Sequence, residues 1–295
     1  MWIAVTPRFR GLLANIQVGA DEVDHASKRT RGVVGSLNRA YYGATDEGPD
    51  AKIIGSWGKG TTVSPSADVD VYYLLPVTEH ERFNNYSGNG QSALLASVRD
   101  KLLATYPQTE ISGDGQVVVV TFNDLPKIEL APCFLLADGK YRLPDSNSGG
   151  SWITADPDAE KHALDVSDEN NNNNARALVK MVKCWRRNCN VPIKSFHLEL
   201  LACEFLPACS WRTFGLYYYD WIVRDFFRFL VTKPNACVLA PGTYEAMNIG
   251  ERWLSRAEAA LARAEKACEY EKADLIGLAG VEWQKIFGPA IPESF

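Results

Sequence analysis

Positions suited to burial recur every three or four residues at Val23, Ala26, Thr30, Val33, Leu37 and Tyr41, which lays one stripe along a helix. Residues 46–50, with Gly48 and Pro49, should end it. A short strand follows at Lys52-Ile53-Ile54, then Gly55-Ser56 and a loop of small and polar residues. The next strand runs up to Pro76 and alternates Asp68 and Asp70 with Val69 and Val71. Strand side chains alternate with period two, so the two aspartates share one face and the valines point into the protein body. Leu94, Leu95, Val98, Leu102 and Leu103 predict a second helix across the back of the sheet, ending near Pro107. The β-rich run 116–122, the turn Asn123-Asp124-Leu125-Pro126 and the segment Lys127-Ile128-Glu129-Leu130-Ala131-Pro132 read as two further strands of the same sheet. Asp124 belongs to the turn; Glu129 takes the strand face opposite Ile128 and Leu130.

Residues 138–157 are rich in Gly, Ser, Asn, Asp and Pro and read as a crossover between two lobes, in which Trp152 plugs the interface or lines a pocket. From residue 157 onward nearly everything reads helical. The asparagine run 170–174 is a helix-entry loop. In the helix after it Lys180, Lys183 and Arg187 fall on one face. Ser195-Phe196 fits an N-cap followed by a core aromatic. The aromatic helix 216–231 reads as core, and the alanine-rich, charge-alternating stretch 251–272 as an exposed outer helix.

The chemistry concentrates at the acidic strand. Two ionised carboxylates roughly 5 Å apart repel by about 3 kcal/mol at an effective dielectric near 20, so a chain that places them side by side usually supplies a cation. Oxygen-only ligands favour Mg²⁺ or Mn²⁺. Gly55, Gly58 and Gly60 around Ser56 and Lys59 let backbone N–H groups approach a phosphate. This is not the Walker pattern, which needs Gly-Lys-Ser/Thr opening a helix. A two-metal site needs a further carboxylate, for which Glu129 is the candidate. A solvent-facing glutamate and an ordinary charged strand are the plainer alternatives.

On the residues h-G-S-x-x-x-G-T, D-h-D and h-E-h between positions 53 and 131, the chain resembles the cGAS/DncV-like nucleotidyltransferases of the polymerase-beta-like superfamily. These bacterial enzymes make cyclic oligonucleotide signals in anti-phage (CBASS) defence. Residues 178–201 and the tail WQKIFGPAIPESF are similar to the same family. The resemblance implies an α+β fold: a two-lobed core of mixed sheet and helices at residues 1–150, with a C-terminal helical domain at 151–295. It implies that Asp68, Asp70 and Glu129 are catalytic and hold two Mg²⁺ or Mn²⁺ ions. Gly55 and Ser56 would touch the triphosphate, Lys183 and Ser195 the donor phosphates, and Phe196 a base. Substrates would be NTPs, ATP with any of GTP, UTP or CTP, and the cyclic di- or trinucleotide product would act on a separate effector. Many relatives carry Asp where this chain has Glu129, one methylene longer. Alternatives are a template-independent transferase making linear oligonucleotides or modifying RNA ends or a small molecule, and an inactive nucleotide-binding module.

Composition narrows this further. The 295 residues, 46% hydrophobic and 23% charged, suffice for a sizeable folded core. A formal net charge of -5 argues against an extended nucleic-acid surface, while a mononucleotide needs only a local basic patch. No run of about 18 apolar residues suggests a membrane span, and the N-terminus lacks a signal peptide's apolar core, so a cytoplasmic location is expected. Seven cysteines fit a reducing compartment. Their spacing, and that of the four histidines, does not predict the zinc thumb of animal relatives.

Overall fold

The computed structural model describes residues 3–43, 51–66, 68–124 and 126–294. The expected break at 46–50 and Leu125 of the expected turn lie outside the described residues. Packing groups Met1–Gln17 with Glu160–Phe295 and leaves Val18–Ala159 as a second unit. This differs from a division at residue 150 at both ends. The first helix, α1 (Val5–Asn15), goes with the C-terminal residues because Arg8, fully buried, places its Nε 2.9 Å from Glu271 Oε1. The same guanidinium donates to the carbonyls of Ile276 at 2.8 Å, Pro292 at 2.6 Å and Glu293 at 2.8 Å.

The unit Val18–Ala159 opens with α2 (Ala20–Tyr42), which buries Ala26, Thr30, Val33 and Leu37 of the expected stripe, whereas Val23, in the first turn, is exposed and Tyr41 is half-buried. Asp21 and Glu22 in its first turn suit the positive end of the helix dipole. Gly43, at φ +65°, closes it by donating its N–H to Asn38. Then come β1 (Ala51–Ile53), the short α3 (Gly55–Lys59), β2 (Asp68–Leu74), α4 (Val77–Asn84) and α5 (Gly90–Thr105). Asn89 caps α5 by accepting from Ser92 N–H at 2.8 Å, and Leu94, Leu95, Val98 and Leu102 are buried as expected. Strands β3 (Glu110–Asp114), β4 (Val117–Thr121), β5 (Lys127–Leu135), β6 (Tyr141–Asp145) and β7 (Ser151–Ala155) complete the unit.

These strands form one sheet ordered β1-β2-β5-β4-β3, with β6 pairing β5 and β7. β2 and β5 run parallel; every other pair is antiparallel. The sheet has two different faces. Val69, Val71, Tyr73, Ile128, Leu130, Val118 and Val120 pack with α2 and α5 into the main core. On β2 and β5 the opposite face holds Tyr72, Ala131 and Cys133, which form a smaller cluster with Tyr141 and Leu143.

Residues 138–157 are therefore not a plain crossover. Tyr141 and Leu143 are buried hairpin positions hidden among turn-forming residues, with Leu143 paired to Ile153 across β6 and β7. Trp152 is tilted against the His80 ring at 4.7 Å and donates its indole N–H to Asn84 at 3.1 Å, inside this one unit.

The remaining chain forms α6 (Pro157–Asn170), α7 (Asn174–Asn188), α8 (Ser195–Phe205), α9 (Tyr219–Leu230), β8 (Cys237–Leu239), β9 (Ala246–Asn248), α10 (Leu254–Lys272) and α11 (Ile276–Phe287). The asparagine run is the α6–α7 joint, where Asn172 and Asn173 adopt positive φ. The aromatic helix is core from Tyr219 on: Phe226 and Phe227 are fully buried, and Trp185 meets Phe227 edge-on at 4.9 Å, whereas Leu216–Tyr218 is a separate 3-10 turn in which Tyr217 is exposed. Two expectations need correction. A β8–β9 hairpin interrupts the helices. α10 is not simply an outer helix either, because Ala257, Ala260, Ala264 and Ala267 form a buried stripe. Small side chains let α10 pack tightly against α9 and α11, and of its charged residues Glu271 is buried, where it meets Arg8.

Candidate active site

The site is built where β1 turns through α3 into β2. Ile54 N–H donates to Asp70 C=O at 2.9 Å, which carries the β1 pairing into the turn. Gly55 has φ +58°, and a Cβ there would collide with the Asp70 carboxylate. Only glycine serves at this position, since it accepts the left-handed backbone and leaves room for the acid. A Cβ at Gly58 would likewise strike the Ile53 carbonyl. The rest of the loop is fastened down. Trp57 donates its indole N–H to Ser66 Oγ at 3.0 Å and to the Asp68 carbonyl at 2.9 Å. Thr61 N–H donates to Ser56 C=O at 2.9 Å, and the Thr62 hydroxyl lies 3.3 Å from Ser56 Oγ. Glu22 of α2 accepts from Ser64 Oγ at 2.8 Å and from Ser66 N–H.

The expected alternation holds on β2: Val69 and Val71 are buried, and Asp68 and Asp70 are partly exposed on the other face. The parallel register with β5 sets Asp70 opposite Glu129 and Asp68 opposite Lys127. Directly paired residues of adjacent strands project to the same side. Asp68, Asp70 and Glu129 therefore stand on one sheet face, beside Gly55-Ser56.

The carboxylates share that face without forming a closed cage. Among the described residues no three His, Cys, Asp or Glu side chains are gathered closely enough to hold a metal ion. The Glu129 carboxylate is instead ion-paired with Lys127 Nζ. Its hydrogen bond to Glu129 holds the Lys127 ammonium above the ordinary lysine range; burial opposes this, and the charges of Glu129, Asp68 and Asp114 add to it. A carboxylate on an acidic face attracts a cation, and Glu129 takes a lysine two residues away on the same strand. Lys127 is the residue that the sequence reading misses. Its period-two spacing from Glu129 was the available signal. The donor set still suits a hard divalent cation: three carboxylates on one face, with Gly55 lacking the Cβ that would displace Asp70.

Lys183, Ser195 and Phe196 lie in the unit that holds residues 160–295. Lys183 Nζ is 4.0 Å from the buried Glu199 carboxylate. Ser195 is the first residue of α8, behind an extended Lys194 in the cap position, and Phe196 is half-buried. Of the basic face, Lys180 donates to the Gln17 side chain at 3.2 Å, and burial lowers its pKa. Arg187 is exposed.

Comparison with known proteins gives one family match and a set of similar folds. The profile of the Second Messenger Oligonucleotide or Dinucleotide Synthetase domain family matches residues 3–170. No curated protein sequence matches. Among solved structures, Vibrio cholerae DncV, the cyclic AMP-GMP synthase in complex with the linear intermediate pppA(3',5')pG, is similar with a TM-score of 0.75 and 13% identity over 98% of this chain and 95% of its own. CdnC of E. coli MS115-1 with ATP gives a TM-score of 0.69 and 18% identity over 99% of this chain and 100% of its own. The CD-NTase CdnG of Bradyrhizobium diazoefficiens in complex with GTP gives a TM-score of 0.67 and 14% identity, covering 96% of both chains. At these identities the likeness is one of fold.

Proposed function

Because the chain belongs to the second messenger oligonucleotide or dinucleotide synthetase family and is a nucleotidyltransferase, we propose that it joins NTPs into a cyclic di- or trinucleotide. That product would signal to a separate effector in anti-phage defence. The observation that carries the proposal is the Asp70–Glu129 register, which puts three carboxylates on one sheet face beside the Gly55-Ser56 turn, within the span that the family profile covers.

In this reading Asp68, Asp70 and Glu129 hold Mg²⁺ or Mn²⁺, which when bound supplies Lewis-acid neutralisation of the triphosphate charge. Gly55, free of a side chain, lets the donor phosphates approach the backbone, and Ser56 offers its hydroxyl to them. The anchoring of the loop by Trp57 and Glu22 keeps these donors aimed before substrate arrives. An acceptor ribose hydroxyl would then attack the α-phosphorus: a new P–O bond forms, the bond to pyrophosphate breaks, and the hydroxyl proton passes to solvent water. A second transfer closes the ring. Lys183, Ser195 and Phe196 are assigned to nucleotide contacts on the resemblance of residues 178–201 alone.

The test is to incubate the pure protein with Mg²⁺ or Mn²⁺ and all four labelled NTPs, then add phosphatase. A phosphatase-resistant product is expected. Phosphatase-sensitive oligomers would indicate a linear transferase, and absence of turnover an inactive nucleotide-binding module.

A further inference from the structure

We propose that Lys127 is a built-in counter-ion of the acidic face, a positioning residue that holds Glu129 until a divalent cation displaces it. This rests on the reading of that face as the nucleotidyl-transfer site. Lys127 and Glu129 are two residues apart on β5, so both side chains leave the same side of the sheet. Their ammonium and carboxylate are ion-paired. The register with β2 sets Lys127 directly opposite Asp68, while Glu129 is opposite Asp70. The lysine is thus placed between two of the three acids on that face, and Asp114 at the end of β3 adds a third negative charge within its electrostatic reach.

The exposure of the pair matters. The side chains of Lys127 and Glu129 are 33% and 24% exposed, so the bond is sheltered enough to form and open enough to be exchanged. A fully exposed pair would be nearly worthless, and a fully buried one could not be broken without leaving an uncompensated charge. Lysine suits an exchangeable role. Its compact charge sits on a flexible four-carbon stem and can swing away, whereas a guanidinium would grip the carboxylate with two hydrogen bonds. An ammonium and a divalent ion at the same carboxylate repel each other, so arrival of one expels the other. Lys127 therefore sets a threshold: it screens the acids while they lack a metal and competes with the metal when it comes.

Mn²⁺ binding to the full chain, followed by electron paramagnetic resonance without nucleotide, tests this. Lys127→Met should tighten Mn²⁺ roughly tenfold, the factor for removing one unit charge about 5 Å from a divalent ion in a water-like medium. Lys127→Arg, which keeps the charge, should stay near the parent value or bind more weakly. A merely structural lysine would lower the melting temperature when replaced but would not tighten metal binding. Unchanged or weaker Mn²⁺ binding by Lys127→Met overturns the proposal.

Acetylation of the wild-type chain followed by mass spectrometry gives a second measurement that needs no variant. Mg²⁺ should accelerate modification of Lys127 severalfold relative to the other lysines, and an unchanged or slower rate also overturns the proposal. The double variant Asp68→Asn with Asp70→Asn separates the two levels of the argument. If it binds Mn²⁺ as well as the parent, or if the parent binds none, the reading of the acidic face fails, and the lysine proposal with it. If it loses Mn²⁺ while Lys127→Met fails to tighten it, only the role of the lysine fails.

Discussion

Gly55 is the residue at which backbone conformation and chemistry constrain each other most closely. Its φ of +58° disfavours any L side chain, and the space a Cβ would take belongs to the Asp70 carboxylate. Gly55→Ala should therefore cost about 1–3 kcal/mol of stability through strain and lower turnover roughly 100-fold by displacing Asp70. Urea denaturation and steady-state pyrophosphate release check the two parts. Wild-type turnover in Gly55→Ala would show that Asp70 is not held by this contact. Asp68, Asp70 and Glu129 were legible in the sequence because a strand has period two and apolar residues alternate with the acids, of which Val69, Val71, Ile128 and Leu130 are buried. Their partners were not legible. The Asp70–Glu129 register joins strands 59 positions apart in sequence, as 129 minus 70 shows, and the period-two spacing of Lys127 and Glu129 puts them on one face without showing that they bond.

At the scale of the element, α9 contains a group with a consequence for stability. Asp220 is 1% exposed, and no side chain donates a hydrogen bond to its carboxylate. Burial pushes its pKa up to about 7, helped by Glu271, while the Trp221 N–H and Arg224 pull it down. Raised above its ordinary value of 3.8, the folded group holds a proton that the unfolded chain has lost. That contribution is full below the unfolded pKa and disappears as pH rises through about 7. At about 1.4 kcal/mol per pH unit, the window amounts to at most about 4 kcal/mol. Asp220→Asn should match wild type or fall below it near the acid end and exceed it above the folded pKa, read from urea midpoints across the window. His80 and His197, whose pKa values burial lowers, drift the opposite way but are common to both proteins. Parallel curves for the two proteins would show that Asp220 is charged in the fold.

The element scale also shows where pattern reading stops. The helices α2 and α5 were visible as stripes, since every third or fourth position is buried. The β6–β7 hairpin was hidden because its few buried residues sit among Gly, Ser, Asn and Pro, and composition there spoke for a loop. In α10 the buried stripe is alanine, which carries too little apolar surface to stand out against the alternating charges.

For the molecule as a whole, the least legible feature is that its first residues pack with its last. A buried arginine breaks the apolar face of α1, and its partner Glu271 is 263 positions away. Arg8→Met leaves Glu271 as an uncompensated buried charge and three carbonyls without their donor, and should cost about 3–5 kcal/mol. Chemical denaturation measures this directly, and a loss below about 1 kcal/mol would place the pair among weak surface bridges. The formal net charge of -5 carries a further expectation: nuclease treatment should leave product yield unchanged, since no extended basic surface is expected to hold a template. Among the described residues no helix is long and apolar enough to cross a membrane.

The most direct measurement compares pyrophosphate release by the wild-type chain and by Asp68→Asn with Asp70→Asn, in Mg²⁺ with ATP and GTP, alongside the melting temperature of each. Release should fall at least about 1,000-fold in the variant, with its melting temperature near that of wild type or above it, as relief of carboxylate repulsion implies. Undiminished release from a folded double variant would contradict the account.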